Sequence, residues 1–207
     1  MDKSKNITLV NISAIDTAGR LTAAYLVMES LPEYYAVEGI DELEMATAVA
    51  ALIGESGSEI EKGYAAVCGN EVVGILTYLH SEALSTARLV GAQTLFKRLS
   101  QESARQFRNH LRNYEAGYGT VPEGSIYLSR IAIDKYYRGS GLASQMMELL
   151  LTLKDDLGVR RDKFSLHVDK KNERAIALYR KHGFGIYHLG SRYITMVLSH
   201  ASRSLII

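Results

Sequence analysis

Apolar residues recur along this chain with two periods, and the switches between periods divide it into elements. Ile7 to Ile12 reads as a short strand. Asp16 is placed to cap a helix running to about Ser30, where Leu21, Tyr25 and Met28 recur at helical spacing. Pro32 ends that helix, and a second is expected from Asp41 to Ile53, with Gly54 just past its end. Gly63 to Cys68 and Val72 to Leu79 read as two antiparallel strands turned at Gly69-Asn70, a hairpin signal. From Ser81 to Gly117 the period is helical again. Leu95, Phe96, Leu99, Phe107, Leu111 and Tyr114 form an apolar stripe, and Arg98, Arg105, Arg108 and Arg112 fall among the polar positions. One or two amphipathic helices packed on the domain, or on a second subunit, account for this stretch; a lid over a binding site is the sharper reading.

The chain from Ser125 to Phe184 reads strand, Gly-rich turn, helix, strand, helix. The apolar run Ser125 to Ile133 breaks at Asp134 and Lys135 into Y-Y-R-G-S-G-L-A, and a helical pattern follows at once. Leu142, Met146, Leu150, Leu153 and Leu157 take its core positions, and Gly158 stops it. Phe164 to Val168 is the next strand, and Asn172 is placed to cap a helix that ends at Gly183. Ile186 to Leu189 and Tyr193 to Leu198 complete an antiparallel pair.

A Gly-rich turn that opens a helix directly after a strand is an anion cradle. The first turn of a helix leaves backbone donors unpaired, and the macrodipole adds partial positive charge there. Gly139 and Gly141 keep side chains away from those N–H groups, and Arg138 adds a full charge at the mouth, so a diphosphate is the expected guest. No Lys-Ser/Thr pair closes the turn as in a P-loop, and the order R-x-x-G-x-A is not G-x-G-x-x-G.

These residues resemble the GNAT superfamily of N-acetyltransferases. Arg138, Gly141 and Ala143 fill its acyl-CoA signature R/Q-x-x-G-x-G/A. A second block, L-H-V-D-K-K-N-E-R-A-I-A-L-Y-R-K-H-G-F from Leu166 to Phe184, looks like the family's strand followed by N-x-x-A-x-x-L-Y-x-x-x-G-F. The resemblance is clear from about Ser125 to Leu198 and extends only in layout to the N-terminal half. It implies an α+β fold: a central mixed, mostly antiparallel sheet of six to seven strands flanked by helices. The chain would then be a single domain over 1–207, with 81–117 as a helical insertion between the third and fourth strands.

Composition is compatible with that reading: 207 residues, 47% hydrophobic and 23% charged, suit one domain with a sizeable core. The formal net charge of +1 gives no overall field toward nucleic acid or an anionic membrane. A lone Cys68 offers no internal disulfide and no cysteine-based metal site, so no metal is expected; Cys68 reads as a small buried apolar residue. The N-terminus lacks the apolar core of a signal peptide, and no apolar run has the length to span a membrane. A soluble cytoplasmic protein is the expectation.

The resemblance also implies site residues. Acetyl-CoA, as cosubstrate, would be held by Arg138, Gly139, Ser140, Gly141, Leu142 and Ala143 at the turn. Ile131, Ala132 and Ile133 would bind pantetheine and the thioester carbonyl from the fourth strand, where the family's sheet splays. Asn172, Ala175 and Tyr179, spaced three and four apart, share a helix face that would look onto the pantetheine arm. Amine acetylation needs a base for the ammonium proton and an acid for the departing thiolate. Tyr179 falls on the tyrosine of the family motif whose hydroxyl lies near the thioester sulfur, which makes it the candidate acid.

Many members place a base glutamate where Ser129 stands here, and a serine cannot fill that role at neutral pH. His167, on a strand between Leu166 and Val168, resembles the position used for the base in several protein N-terminal acetyltransferases, and Tyr127 falls where some of them carry a tyrosine. An unperturbed histidine would give an acidic limb near pH 6.5. The acidic stretch of Glu29, Glu33, Glu38, Asp41 and Glu42 lies where the family places its acceptor entrance, which would favour a cationic amine.

The expected activity is transfer of an acetyl group from acetyl-CoA to a primary amine by direct attack in a ternary complex, a small molecule ranking ahead of a protein. A protein N-terminal or lysine acetyltransferase is the alternative within the same chemistry, and a non-catalytic acyl-CoA-binding module, sensor or structural subunit, is the alternative outside it. A homodimer is compatible with the insertion. Near-neutral charge weighs against nucleic acid.

Overall fold

The computed structural model describes residues 6–114, 117–153, 157 and 163–198. Gly158, expected to stop a helix, lies outside them. Seven strands form one mixed sheet: β1 (Ile7–Asn11), β2 (Lys62–Cys68), β3 (Glu71–His80), β4 (Ile126–Ile133), β5 (Phe164–Asp169), β6 (Phe184–Leu189) and β7 (Tyr193–Leu198), in the order β1-β2-β3-β4-β5-β7-β6. Only β4 and β5 run parallel; the other five pairings are antiparallel. This is the mostly antiparallel seven-stranded sheet expected from the resemblance. The β2–β3 turn closes at Gly69, whose φ of 61° is the positive value a tight hairpin turn requires.

One face of the sheet is covered by α1 (Thr17–Ser30), α2 (Pro32–Tyr35) and α3 (Glu42–Ala50), which share a core with Ile12, Ala65 and Ile75. The Asp16 carboxylate accepts the Gly19 N–H at 2.7 Å, the expected cap of α1. Pro32 does more than end α1: it is the first residue of α2, where its missing N–H costs nothing. α3 is shorter than its hydrophobic pattern because the chain turns at Ala51 and buries Leu52 and Ile53 from turns instead. The other face carries α6 (Leu142–Thr152) and α7 (Glu173–Lys181), whose Met146, Met147, Leu150 and Ile176 pack on Ile126, Leu128, Leu166 and Met196.

The stretch between β3 and β4 forms two helices, α4 (Leu84–Arg98) and α5 (Gln101–Asn113). Leu95, Leu99 and Phe107 enter the same core as α1 and α3, and Phe107 is wholly buried. Glu44 of α3 ties the corner between them by accepting the Ser100 N–H at 2.6 Å and the Ser103 hydroxyl at 2.7 Å. His110 Nε2 bonds the Glu33 carbonyl at 2.8 Å and fixes α5 to α2. The insertion is part of the main core, and it also roofs a chamber described below.

Phe107 therefore tests whether α5 is structural. Phe107→Ala should destabilise the whole protein by about 3–5 kcal/mol, the usual cost of emptying such a site. A denaturant titration checks this; a detachable lid would leave the midpoint in place.

Candidate active site

The sheet opens between its two parallel strands. Ile126, Tyr127 and Leu128 of β4 pair with Phe164, Ser165 and Leu166 of β5, and there the pairing stops, although β4 runs on to Ile133 and β5 to Asp169. At the same level β4 bulges against β3. Tyr78 faces Leu128, Thr77 faces Arg130, and Ser129 is the extra residue between. The bulge turns Ser129 and Arg130 to one face. Ser129 Oγ donates to the Glu59 carbonyl at 2.6 Å, so the Thr77 hydroxyl is the donor in the 2.7 Å contact with Ser129. Beyond the bulge, the Asp134 N–H reaches Val73 O on β3 at 2.9 Å, and strand alternation aims the amides of Ile131 and Ile133 into the gap.

A cleft of about 490 Å³ fills this gap. It brings together Ile131, Ala132 and Ile133 of β4, Arg138 and Ala143 of the Gly-rich turn, Asn172, Ala175 and Tyr179 of α7, and Tyr127 with His167. Gly139, Ser140, Gly141 and Leu142 form the turn at its edge. Gly139 and Gly141 have φ of 82° and 86°, and a Cβ on either would meet no atom within 4 Å. Both are therefore required by left-handed backbone, and open space lies in front of them. Gly141 caps α6 without a side-chain bond, and Ser140 Oγ takes up only the Leu142 N–H, at 3.4 Å. The residues present fit a diphosphate-bearing donor.

Arg138 is held in place by two acceptors: its Nε donates to Ile133 O at 2.9 Å and its Nη2 to Glu29 at 2.9 Å. Glu33 likewise pairs with Arg192, which also holds Asp169 at 3.0 Å. Asp41 accepts the Glu44 N–H as the cap of α3. Of the acidic stretch expected to attract a cation, Glu29 is thus paired with Arg138, and Glu33 shares Arg192 with Asp169.

His167 lies one residue past Leu166, the last β5 residue paired with β4. Its Nε2 is 3.0 Å from Gly119 O, and its Nδ1 is 3.0 Å from the Tyr127 hydroxyl. A carbonyl can only accept, so Nε2 carries the proton and Nδ1 accepts from Tyr127. Tyr118 stacks on the ring at 5.0 Å. Burial holds the imidazole down at about 4, with the Gly119 hydrogen bond opposing it and Arg88 adding to it. The ring is neutral from about pH 4 upward, not from 6.5, and both nitrogens are committed.

Tyr127 and Tyr179 are buried phenols held well above their ordinary value, by burial above all, so both keep their protons throughout the physiological range. Asn172 lines the cleft, yet its side chain is spent on capping α7 through the Ala175 N–H at 3.1 Å.

Sequence reasoning missed a second, apolar chamber of about 270 Å³ under α4 and α5. Tyr34, Tyr35, Leu95, Leu111 and Tyr114 contribute to its walls, and Leu31, Tyr118 and Arg130 line both it and the cleft. Glu59 bridges two arginines there, Arg88 at 3.2 Å and Arg130 at 3.3 Å. Helical spacing marks Leu95, Leu111 and Tyr114 only as an apolar stripe; their meeting with Tyr34, Tyr35, Glu59 and Arg130 depends on segments far apart in the chain. Among the described residues, no group of three or more His, Cys, Asp or Glu side chains could hold a metal ion.

The family model described as Acetyltransferase (GNAT) family matches residues 29–184. Among curated proteins, a probable spermine N(1)-acetyltransferase of Bacillus subtilis subsp. natto (strain BEST195) is 34% identical over 76 residues, which cover 33% of this chain and 49% of the relative. The chain thus spans about half the length of the curated relative it matches. Among solved structures, an N-acetyltransferase from Staphylococcus aureus Mu50 superposes with a TM-score of 0.68 at 20% identity, covering 92% of this chain and 99% of that one. The PaiA N-acetyltransferase from Thermoplasma acidophilum, in complex with coenzyme A, gives 0.54 at 11% identity, covering 94% and 99%. At these identities the two structures establish a shared fold.

The neutral, buried His167 makes a prediction about stability. An imidazole that protonates near 4 when folded and near 6.5 when unfolded contributes stability that is full above pH 6.5 and is lost as pH falls to about 4. His167→Gln should flatten that fall by roughly 2–3 kcal/mol relative to the parent protein. Parallel urea titrations at pH 7, 5.5 and 4 measure it.

Proposed function

The chain belongs to the GNAT acetyltransferase family and is an acyltransferase; from that premise we propose that it moves an acetyl group from acetyl-CoA to the primary amine of a small molecule, by direct attack in a ternary complex. The observation that carries this reading is the single cleft that joins the glycine cradle, the amides of the open strand and the Tyr179 and Tyr127–His167 phenols. Acetyl-CoA, when bound, supplies an activated acetyl group and a thiolate leaving group.

The chain's own groups have separable roles in this proposal. The first-turn amides of α6 and the Arg138 guanidinium bind the diphosphate, Arg138 exchanging or sharing its Glu29 contact. The Ile131 and Ile133 amides donate to developing negative charge on the carbonyl oxygen. Tyr179 keeps a proton at its hydroxyl for the departing sulfur. Tyr127 accepts the amine proton at its oxygen while its own proton moves to His167 Nδ1, along the 3.0 Å bond already present. Because His167 is neutral down to about pH 4, it gives no limb near 6.5; the rate rises instead with deprotonation of the acceptor amine. The spermine relative supports a small-molecule acceptor in general terms only.

The cradle is the part on which the reading stands. In Gly141→Val the new side chain enters the open space before α6 and strains a left-handed residue, at about 1–2 kcal/mol for the fold. Calorimetry with acetyl-CoA should show binding weaker by about tenfold or more, as backbone-to-phosphate bonds are lost. Unchanged affinity in folded protein would sink the donor assignment.

Tyr179→Phe should lower kcat roughly ten- to a thousandfold with little change in donor affinity, the range of a general acid. A kcat near that of the parent would remove Tyr179 from the mechanism.

A further inference from the structure

The chamber under α4 and α5 carries a charge it does not balance. Arg88 and Arg130 face one carboxylate, Glu59, which leaves one positive charge in excess among these three side chains. Burial opposes the Arg130 charge, and Glu59 together with the Tyr35, Tyr118 and Tyr127 hydroxyls more than restores it, so the guanidinium stays ionised at every accessible pH. Its hydrogen bonds are incomplete. Nη1 donates to Ser129 O at 2.6 Å and Nη2 reaches Glu59 at 3.3 Å, but the buried Nε has no partner. A buried unpaired guanidinium N–H in an aromatic enclosure is costly and calls for an acceptor.

Its position decides what kind of acceptor. Arg130 stands on the boundary between the chamber and the cleft, as does Tyr118, whose ring lies against the Tyr127–His167 pair. The reacting amine has to lie near that same boundary. The interior beyond is tyrosine and leucine with little polar surface, and the Arg88 guanidinium lies over the Tyr118 ring at 4.5 Å. We infer that the acceptor, on the acetyltransferase reading above, is an α-amino acid with a large apolar or aromatic side chain: its carboxylate meets Arg130, its amine faces Tyr127 and its side chain fills the chamber. A polycation gains nothing there, since it would bring positive charge to a site already in positive excess.

The probes are L-phenylalanine, L-phenylalaninamide, phenethylamine and spermine, each titrated by calorimetry into protein saturated with CoA, and each assayed for thiol release with acetyl-CoA. Phenylalanine should bind about ten- to a hundredfold more tightly than its amide or phenethylamine, the scale of a charge-assisted hydrogen bond, with spermine weakest. Arg130→Gln should erase the preference for acid over amide. Glu59→Gln should enlarge it, because a competing carboxylate is gone; this opposite sign keeps the inference testable if Arg130→Gln does not fold. Equal binding of acid and amide, a preference for spermine, or an acid preference that falls in Glu59→Gln overturns it. The two readings fail separately. Acid-selective binding without thiol release would sink acetyl transfer and leave the chamber assignment standing. Thiol release with phenethylamine or spermine, without acid preference, would do the reverse.

Discussion

Between β4 and β5 the sheet holds for three residue pairs and then opens, and nearly everything else about the site depends on that opening. A parallel pair normally continues, because each unpaired strand amide in the interior costs about as much as a lost hydrogen bond. Here two features stop it. The bulge at Ser129 changes the twist of β4 and commits the next residue to Glu59, and the Tyr127–His167 bond reaches across the last paired level and pins the strands there. The amides left over are then available to a ligand. The splay is thus held open by side chains on the acceptor side of the sheet, while its use as a donor site depends on the helices of the other side.

The bulge makes Ser129 a different residue from the one its position first implies. As a replacement for a base carboxylate it looks like a loss of function. In the structure it is buried, donates to the Glu59 carbonyl and accepts from Thr77, so it anchors the loop that presents Glu59 to two arginines. A glutamate there would put a further negative charge beside the Glu59 backbone and compete for Arg130. In the proposed function, proton removal falls to the phenol–imidazole pair of Tyr127 and His167, whose ring nitrogens are both occupied. Such a pair acts by moving an existing proton along an existing bond rather than by presenting a free base.

How far the sequence could be read follows from the range of the interactions involved. The cradle was legible because its determinants are local: a strand, two glycines at positive φ, an arginine and a helix start, all within Ile126 to Leu142. The caps Asp16, Asp41 and Asn172 are local for the same reason. The histidine and its tyrosine could be named, but not their protonation. The burial that holds His167 near 4, and the Gly119 carbonyl that fixes its tautomer, arise from a loop distant in sequence. Gly119 itself gives no turn signal. It is glycine because a Cβ would stand 2.3 Å from His188, so its role belongs to tertiary packing. The pairing of the acidic stretch was hidden in the same way, since Arg138, which pairs with Glu29, and Arg192, which Glu33 shares with Asp169, lie more than a hundred residues on in the sequence.

This difference in range also separates what relatives can say about the two halves of the reaction. A donor bound through backbone amides and helix polarity asks little of side-chain identity, so proteins at 11% to 20% identity can share the fold that builds such a cradle. An acceptor is discriminated by side chains and by the shape of a cavity, and the acceptor cavity proposed for this chain is the chamber roofed by α4 and α5. Its chemistry rests on Arg88, Glu59 and Arg130, three residues from a helix, a loop and a strand. Changing any one alters the net charge or the shape of the chamber and leaves the cradle intact. Acceptor choice is therefore the property most free to diverge between such proteins, and the buried charge balance of this chain is a more direct guide to it than the substrate of a relative matched over 76 residues.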